Sequence, residues 1–324
     1  MSDSQQRYRE FEAAHTALPI FMQPWWLDAA AGPGNWDAAV CENESGVRGV
    51  LPYTVRRARL GMVLGMPQLT QALGPWVSIP EGAKHYRRLS IEKEVMFQLI
   101  DSLPEHAKYG QSWRPELTNW QPFYWRGFKQ TTRYTYTLPV QESVDDAWST
   151  AESKTRKNIR RAQDTHRVEC REEKETAILW PLIGETFRRQ RKVVPFDRSV
   201  LERVQSAAFD RSQGINITGY VDGEPVTSAF FVWDHYKLYY LVSGSRRDSR
   251  NTHALSLILW RAIELATSKR LVFDFEGSML ENVEQHFRSF GAIQTPYFQV
   301  WRYGSRRHRL LEMARRGLRL KMSS

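Results

Sequence analysis

The chain has 324 residues, with 41% hydrophobic and 25% charged residues, which suits a globular protein with two cores of ordinary domain size. No apolar run approaches the ~20 residues a helical bilayer span needs, which argues against a membrane-embedded chain. The formal net charge of +10 is local: residues 302–324 carry eight Lys or Arg against Glu312, and residues 154–171 carry seven against Asp164 and Glu169, so particular surfaces are built to meet something anionic.

In chain order, the first residues show no apolar core of the secretory kind. Cys41 and Cys170 fall in no paired spacing, so reduced thiols and a cytoplasmic location are expected. Residues 19–31 predict a short helix entered through Pro24 and ended near Gly32. Asp37–Cys41 and Val47–Val55 flank a turn-like segment and predict a hairpin. Residues 56–82 carry several Gly and Pro and predict an irregular connection with short extended pieces. Ile91, Val95, Leu99 and Leu103 recur every four residues and mark the buried face of a helix. Alternation over Tyr134–Leu138 predicts a strand.

Ser143 opens a capping-box-like helix start. The helix that follows carries Trp148, Ala151, Thr155, Ile159 and Ala162 on one side and Arg156, Lys157, Arg160 and Arg161 on the other. Residues 177–210 predict two helices split near Val193–Asp197. Strands are expected from Ile215, over Val226–Trp233 and over Leu238–Val242. A basic loop follows, then a helix from Ala254 to Thr267, a buried strand from Leu271 ending in a polar loop, and a short helix stopped by Gly291. Strand, strand, basic loop, helix, strand, helix, strand is an α/β pattern, with a mixed central sheet flanked by helices.

An internal echo accompanies that pattern. Gln121, Phe123, Gly127, Gln130 and Thr131 recur in the same spacing as Gln285, Phe287, Gly291, Gln294 and Thr295, and an aromatic strand follows each copy. The echo predicts two copies of one α/β unit with a boundary near Pro139–Ser143. The expected domains are therefore residues 1–139 and 140–303, with a basic tail over 304–324.

Four segments carry a family resemblance: Lys154–Ala162, Asp222–Val226 leading into paired aromatic strands, Phe273–Ser278, and Phe287–Gly291. Together they resemble the Fem-like branch of the GNAT acyltransferases, which includes the aminoacyltransferases that build peptidoglycan cross-bridges. The likeness covers most of the chain and is strongest from about 143 to 300. It implies two tandem GNAT-like domains, an activated acyl donor and an amine acceptor. Where the family motif has Phe-Lys this chain has Phe287-Arg288, which keeps the charge and changes its geometry.

Acyl transfer to an amine needs a deprotonated nitrogen and a stabilised oxyanion. On a strand, Asp274 and Glu276 share one face, where they can hold an ammonium or accept its proton; an ion-paired strand end is the bland alternative. Arg288 is the candidate for the oxyanion, or for a phosphate or carboxylate, against an exposed helix charge. Arg246, Arg247, Arg250 and Thr252 precede the helix at Ala254, whose free N–H groups can receive phosphate. Acetyl-CoA-using GNAT enzymes have Q/R-x-x-G-x-G/A there. Counted from Arg247, this chain puts Arg250 and Thr252 at the small positions; counted from Arg250, it puts His253 and Leu255 there.

Lys154, Arg156 and Arg160 match the family's basic helix and join Tyr240 and Ser278 as substrate-binding candidates. The tail over 304–324 combines basic residues with Leu310, Leu311, Ala314 and Leu318 at helical spacing, which suits an anionic membrane surface, RNA, or docking on the body of the protein. No Walker loop, dinucleotide fingerprint, nucleophile elbow or paired metal-ligand spacing is present in the sequence.

The expected function is N-acyl or aminoacyl transfer in envelope or cell-wall metabolism. No tightly bound cofactor or metal is expected, and the donor is aminoacyl-tRNA or acyl-CoA. The alternatives are a small-molecule N-acetyltransferase and a non-catalytic basic module for membrane or nucleic acid.

Overall fold

A computed structural model describes residues 2–14, 18–59, 61–277, 279 and 281–304, apart from the side chains of Arg250 and Asn282. The tail over 305–324 and Ser278 lie outside the described residues, so the expectations for both rest on sequence.

The chain divides into two compact units, one running to Arg133 and resuming at Tyr297, the other spanning Tyr134–Pro296. In the first unit, helices α1 (Asp3–Ala14) and α2 (Pro24–Ala31) precede strands β1 (Trp36–Asn43), β2 (Gly46–Ala58), β3 (Gly61–Gly65) and β4 (Trp76–Val77). Helix α3 (His85–Asp101), strand β5 (Lys108–Ser112), helix α4 (Gln121–Trp125) and the start of strand β6 (Lys129–Leu138) follow. The second unit holds α5 (Val144–Thr150), α6 (Ser153–Arg160), β7 (Glu169–Glu173), α7 (Thr176–Arg189), α8 (Arg198–Asp210), β8 (Gly214–Val221) and β9 (Glu224–Trp233). It continues with β10 (Lys237–Ser245), α9 (Ala254–Ser268), β11 (Val272–Asp274), α10 (Glu281–Arg288) and the start of β12 (Ile293–Tyr303).

Both units use the same strand order. In the first, β1, β2 and β3 form an antiparallel meander, β3 pairs in parallel with β5, and β5 pairs antiparallel with Gln299–Tyr303 of β12. In the second, β8, β9 and β10 form the meander, β10 pairs in parallel with β11, and β11 pairs antiparallel with Thr137 and Leu138 of β6. The fifth strand therefore reaches each unit along a chain that entered from the other. The sequence echo maps onto this event. Each copy is a short helix, a glycine with positive φ (Gly127 at 80°, Gly291 at 86°) and a strand. Glycine stops the helix in the left-handed conformation that other residues enter only at a cost. Phe123 and Phe287 in turn plug the cores of their own units.

Several local expectations need correction. The single helix expected from Ser143 is two, α5 and α6, because Ala151 takes extended angles (φ −70°, ψ 143°). The short extended pieces expected within 56–82 are there as β3, whose five residues run from glycine to glycine, and β4. Strand β7 was missed because Glu169–Glu173 is mostly charged. The strand expected past Leu271 ends at Asp274.

In the second unit, α9 packs on β8 and β9 together with α5 and α6, while α7 packs on β9 and β10. The alternation of β9 serves both layers: Phe231 joins the cluster around α9, and the Phe230 ring meets Phe209 of α8 at 5.8 Å.

Candidate active site in the second unit

Strands β10 and β11 run together only from Lys237↔Val272 to Tyr239↔Asp274, after which β10 continues alone to Ser245. Past Tyr239 that edge of β10 has no ladder partner among the described residues, and its register with β9 slips between Tyr240 and Val242. Next to this free edge lies a cavity of about 520 Å³. Its walls are Tyr240, Ser243 and Ser245 of β10, Thr186 and Arg189 of α7, the turn from His253 to Ser256, and Val283, His286 and Phe287 of α10.

One glycine sets the depth of that wall. A Cβ at Gly244 would lie 2.1 Å from the Ile183 nitrogen and 2.2 Å from the Leu182 carbonyl carbon, so the bare backbone lets α7 rest directly on β10. The approach brings Thr186 to Ser245: its Oγ1 donates to the Ser245 carbonyl at 3.2 Å and accepts from the Ser245 N–H at 2.8 Å. Arg189 Nη1 donates to the carbonyls of Ser245 and Arg246 at 3.3 and 3.4 Å.

The start of α9 forms one wall of the cavity. Thr252 Oγ1 donates to the Ser249 carbonyl at 2.5 Å and accepts from the Ala254 N–H at 3.3 Å. The next N–H groups of that turn have no intrahelical acceptor and sit at the positive end of the helix dipole, which favours an anion. His253 holds a left-handed backbone at φ 56°, the conformation glycine favours. Of the two registers open in the sequence, the one counted from Arg250 puts a residue in this conformation at the first small position. The loop keeps the shape of a glycine turn and adds an imidazole to the wall. Burial lowers the pKa of His253, and the charges of His166 and Arg161 lower it further.

Two more cavity groups titrate away from their ordinary values in opposite directions. Burial pushes the Tyr240 phenol up to about 12, against the opposing effect of its hydrogen bond with Ser243. Burial lowers the pKa of His286, whose Nε2 is shielded from solvent and finds no hydrogen-bond partner among the described residues.

The predicted constellation is only partly assembled. Asp274 is 4% exposed, receives Thr135 Oγ1 at 2.6 Å and the Glu276 N–H at 2.9 Å, and lies 3.8 Å from Lys237 Nζ. That is a buried, satisfied carboxylate at a strand end. Glu276 follows the strand in a left-handed turn (φ 62°) with Gly277, where a Cβ would lie 2.3 Å from the Tyr134 carbonyl oxygen. Period-two alternation therefore does not place it beside Asp274; the turn does. Burial first, and then the Asp274 charge, raises the Glu276 pKa well above the usual range, with Lys237 opposing.

Arg288 has a side chain 59% exposed and an ion pair to Glu284 on its own helix at 3.0 Å. It lies on the solvent side of α10 and does not line the cavity, and neither do Asp274 and Glu276. Arg156 donates to the carbonyls of Trp148, Ser149 and Ala151 and so caps α5, a structural task in place of the expected substrate contact. Arg160 stacks over Trp148 at 5.5 Å, and Lys154 is exposed. Asn158 is the residue of that helix that does line the cavity. Arg246 is paired with Asp248 and Glu224, whereas Arg247 lines a neighbouring groove.

Sequence reasoning missed Thr186, Arg189, Ser243, Ser245, His253 and His286. The Ser243-Gly244-Ser245 run, small and polar inside a strand, was the legible signal for part of this set.

The second unit combines a meander that ends in a parallel pair with a helix start that lines a cavity beside the free strand edge. Residues 150–286 match the family model described as an acetyltransferase (GNAT) domain. Over nearly its whole length the chain shares its fold with solved structures, a tandem GNAT protein among them. It is similar to the crystal structure of FemX, with a TM-score of 0.66 at 12% identity, covering 92% of this chain and 96% of that one. It is also similar to the C-terminal domain of a putative lysylphosphatidylglycerol synthetase from Agrobacterium fabrum, with a TM-score of 0.56 at 10% identity, covering 96% and 95%. A tandem GNAT protein from the clavulanic acid biosynthesis pathway gives a TM-score of 0.53 at 10% identity, covering 94% and 95%. No protein with a curated description matches the sequence. Among the described residues no helix is long and apolar enough to cross a membrane, and no cluster of His, Cys, Asp or Glu could hold a metal ion.

Proposed function

We propose that the chain moves an acyl or aminoacyl group from a phosphate-bearing activated donor to an amine acceptor, in envelope or cell-wall metabolism. The observation that carries this reading is the cavity between the free edge of β10 and the start of α9. The donor's phosphate lies against the first turn of α9, and its acyl end runs along β10. Amides of β10 past Tyr239, released from β11, are positioned to receive the carbonyl oxygen as it becomes an oxyanion.

Glu276 stands outside the cavity wall, next to Phe275, whose ring meets the cavity residue Phe287 at 5.0 Å, and from there it is the group suited to take the acceptor's proton. Its raised pKa brings a carboxylate closer to the basicity an ammonium requires, and Asp274 maintains that shift through its charge. Tyr240, protonated at neutral pH, can return a proton to the leaving group. The reading carries acyl-CoA and aminoacyl-tRNA as donors, and the likeness to FemX favours trying both.

The test is a two-donor assay with an amine acceptor, alongside calorimetry with acetyl-CoA. Transfer from charged tRNA, falling steeply with salt, identifies one donor; acetyl-CoA binding and turnover identify the other. Absence of binding and transfer with both would overturn the proposal.

A further inference from the structure

Helix α3 carries two apolar stripes, and only one of them is buried. Ile91, Val95, Met96, Leu99 and Ile100 belong to the core of the first unit. Tyr86, Leu89, Lys93 and Phe97, spaced at i, i+3, i+7 and i+11, form a second stripe along the same helix. Tyr86 is 69% exposed and Leu89 38%. The short helix α4 continues this surface. Its Trp125 ring meets Phe97 edge-on at 6.1 Å, and its Tyr124 ring meets Trp120 at 5.4 Å. Tyr124 and Trp125 are each more than half exposed. None of the chemistry assigned above uses these residues, and a contiguous set of large exposed side chains marks an interaction surface.

Cations are set among the rings. Lys93 Nζ lies 5.9 Å from the Phe97 ring centre and 5.4 Å from that of Trp125, and the Arg126 guanidinium lies over Phe97 at 4.3 Å. The acids of α3 are already paired: Glu92 with Arg88, Glu94 with Arg48 and Asp101 with Arg126. Arg87 and Lys93 have no carboxylate partner among the described residues, so the surface offers positive charge beside its aromatic rings.

Two kinds of anionic partner suit rings and cations together. A nucleic acid stacks its bases on open ring faces, whereas a lipid headgroup layer takes up the rings themselves and pairs its phosphates with the cations. The geometry favours the lipid. Lys93 and Arg126 lie over the rings on which a base would stack, and at a lipid–water interface a ring and its neighbouring cation enter as one unit.

We infer that the outer stripe of α3 and the end of α4 form a peripheral docking surface for an anionic lipid bilayer. Tyr86, Tyr124 and Trp125 enter the headgroup layer, and Arg87 and Lys93 meet lipid phosphate. The inference does not depend on the acyl-transfer reading.

The experiment is co-sedimentation of the full chain with vesicles of phosphatidylcholine and with vesicles of an equimolar mixture of phosphatidylcholine and phosphatidylglycerol. It is repeated on Tyr86→Ser/Trp125→Ser and on Arg87→Gln/Lys93→Gln. The basic residues over 305–324 are the same in every variant, so binding through them alone would survive both pairs of substitutions. The wild type is expected to bind the anionic vesicles about tenfold or more tightly than the neutral ones. The aromatic pair should lose about tenfold in affinity for the anionic vesicles, and the charge pair should bring the two vesicle types within about threefold of each other. Both variants should melt within a few degrees of the wild type and bind donor unchanged, since neither touches the cavity beside β10. A wild type that ignores anionic vesicles, or variants that bind them as the wild type does, overturns the inference. Two further results would overturn it by assigning the surface elsewhere. One is binding of a single-stranded oligonucleotide, but not of vesicles, that the aromatic pair abolishes. The other is self-association of the wild type, again without vesicle binding, that the same pair removes.

Discussion

Gly244→Ala tests whether the contact of α7 with β10 sets up the cavity. The added methyl would sit 2.1 Å from the Ile183 nitrogen and 2.7 Å from the Leu182 carbonyl oxygen, both backbone atoms that no rotamer change can move. The helix must lift or the strand must bend. Overpacking of this kind costs about 1–3 kcal/mol, and lifting α7 also stretches the paired bonds between Thr186 and Ser245, each worth about 0.5–1.5 kcal/mol. The sum is a loss of about 2–6 kcal/mol. For a unit of this size, about 2–4 °C of Tm goes with each kcal/mol, so the melting point should fall by roughly 4–24 °C. Because Thr186, Arg189 and Ser245 all line the cavity, donor affinity should fall along with stability. Thermal denaturation by circular dichroism, with donor binding measured well below the melting point, gives both numbers. A variant that melts within 2 °C of the wild type and binds donor unchanged would show that α7 does not need the bare backbone at 244.

Glu276→Gln should lower kcat by about 10²–10⁴ and remove the acidic limb of the pH–rate profile, which steady-state kinetics across pH will show. The same change should stabilise the fold at high pH. The native carboxyl has a raised pKa, so its contribution is fully present below the unfolded pKa and is lost as pH rises through the native one; the gain in Tm should be larger at pH 8 than at pH 4. His253, with its pKa lowered by burial, His166 and Arg161, should take up a proton when a phosphate-bearing donor binds. Donor affinity should then rise from pH 7.5 to pH 6, and calorimetry in buffers of different ionisation enthalpy should register the uptake. Without ligand the sign is reversed: protonating His253 costs native stability as pH falls through the ordinary imidazole range. Arg156→Ala should cost about 1–3 kcal/mol of stability, because three carbonyls at the end of α5 lose their donor, and leave KM for the donor unchanged in steady-state assays.

The fold was legible where it is written in short range. The spacing of Gln285, Phe287, Gly291 and Gln294 records a helix, a left-handed stop and a strand, each a local consequence of residue type, and so the duplicated unit could be read from letters alone. The cavity beside β10 is different. Thr186, Ser245 and His286 come together only because Gly244 lets one helix settle on one strand and because β11 ends before β10 does. Neither fact has a periodicity. Asp274 and Glu276 were expected from their place after an apolar run, but their settings differ: one is buried against Thr135 and Lys237, the other follows on a left-handed backbone. Arg156 shows the opposite failure, since a basic helix face reads the same whether its charges meet a ligand or a neighbouring helix end.

The route of β12 bears on how this protein is made. A ribosome delivers residues in order, and the segment that closes the first unit's sheet against β5, Gln299–Tyr303, comes out after the whole second unit. Until then the nascent first unit has β5 as a bare rim, open to any strand from another chain that finds it first. Slow translation of the second unit would lengthen that interval and should show itself as dependence on ribosome-bound chaperones.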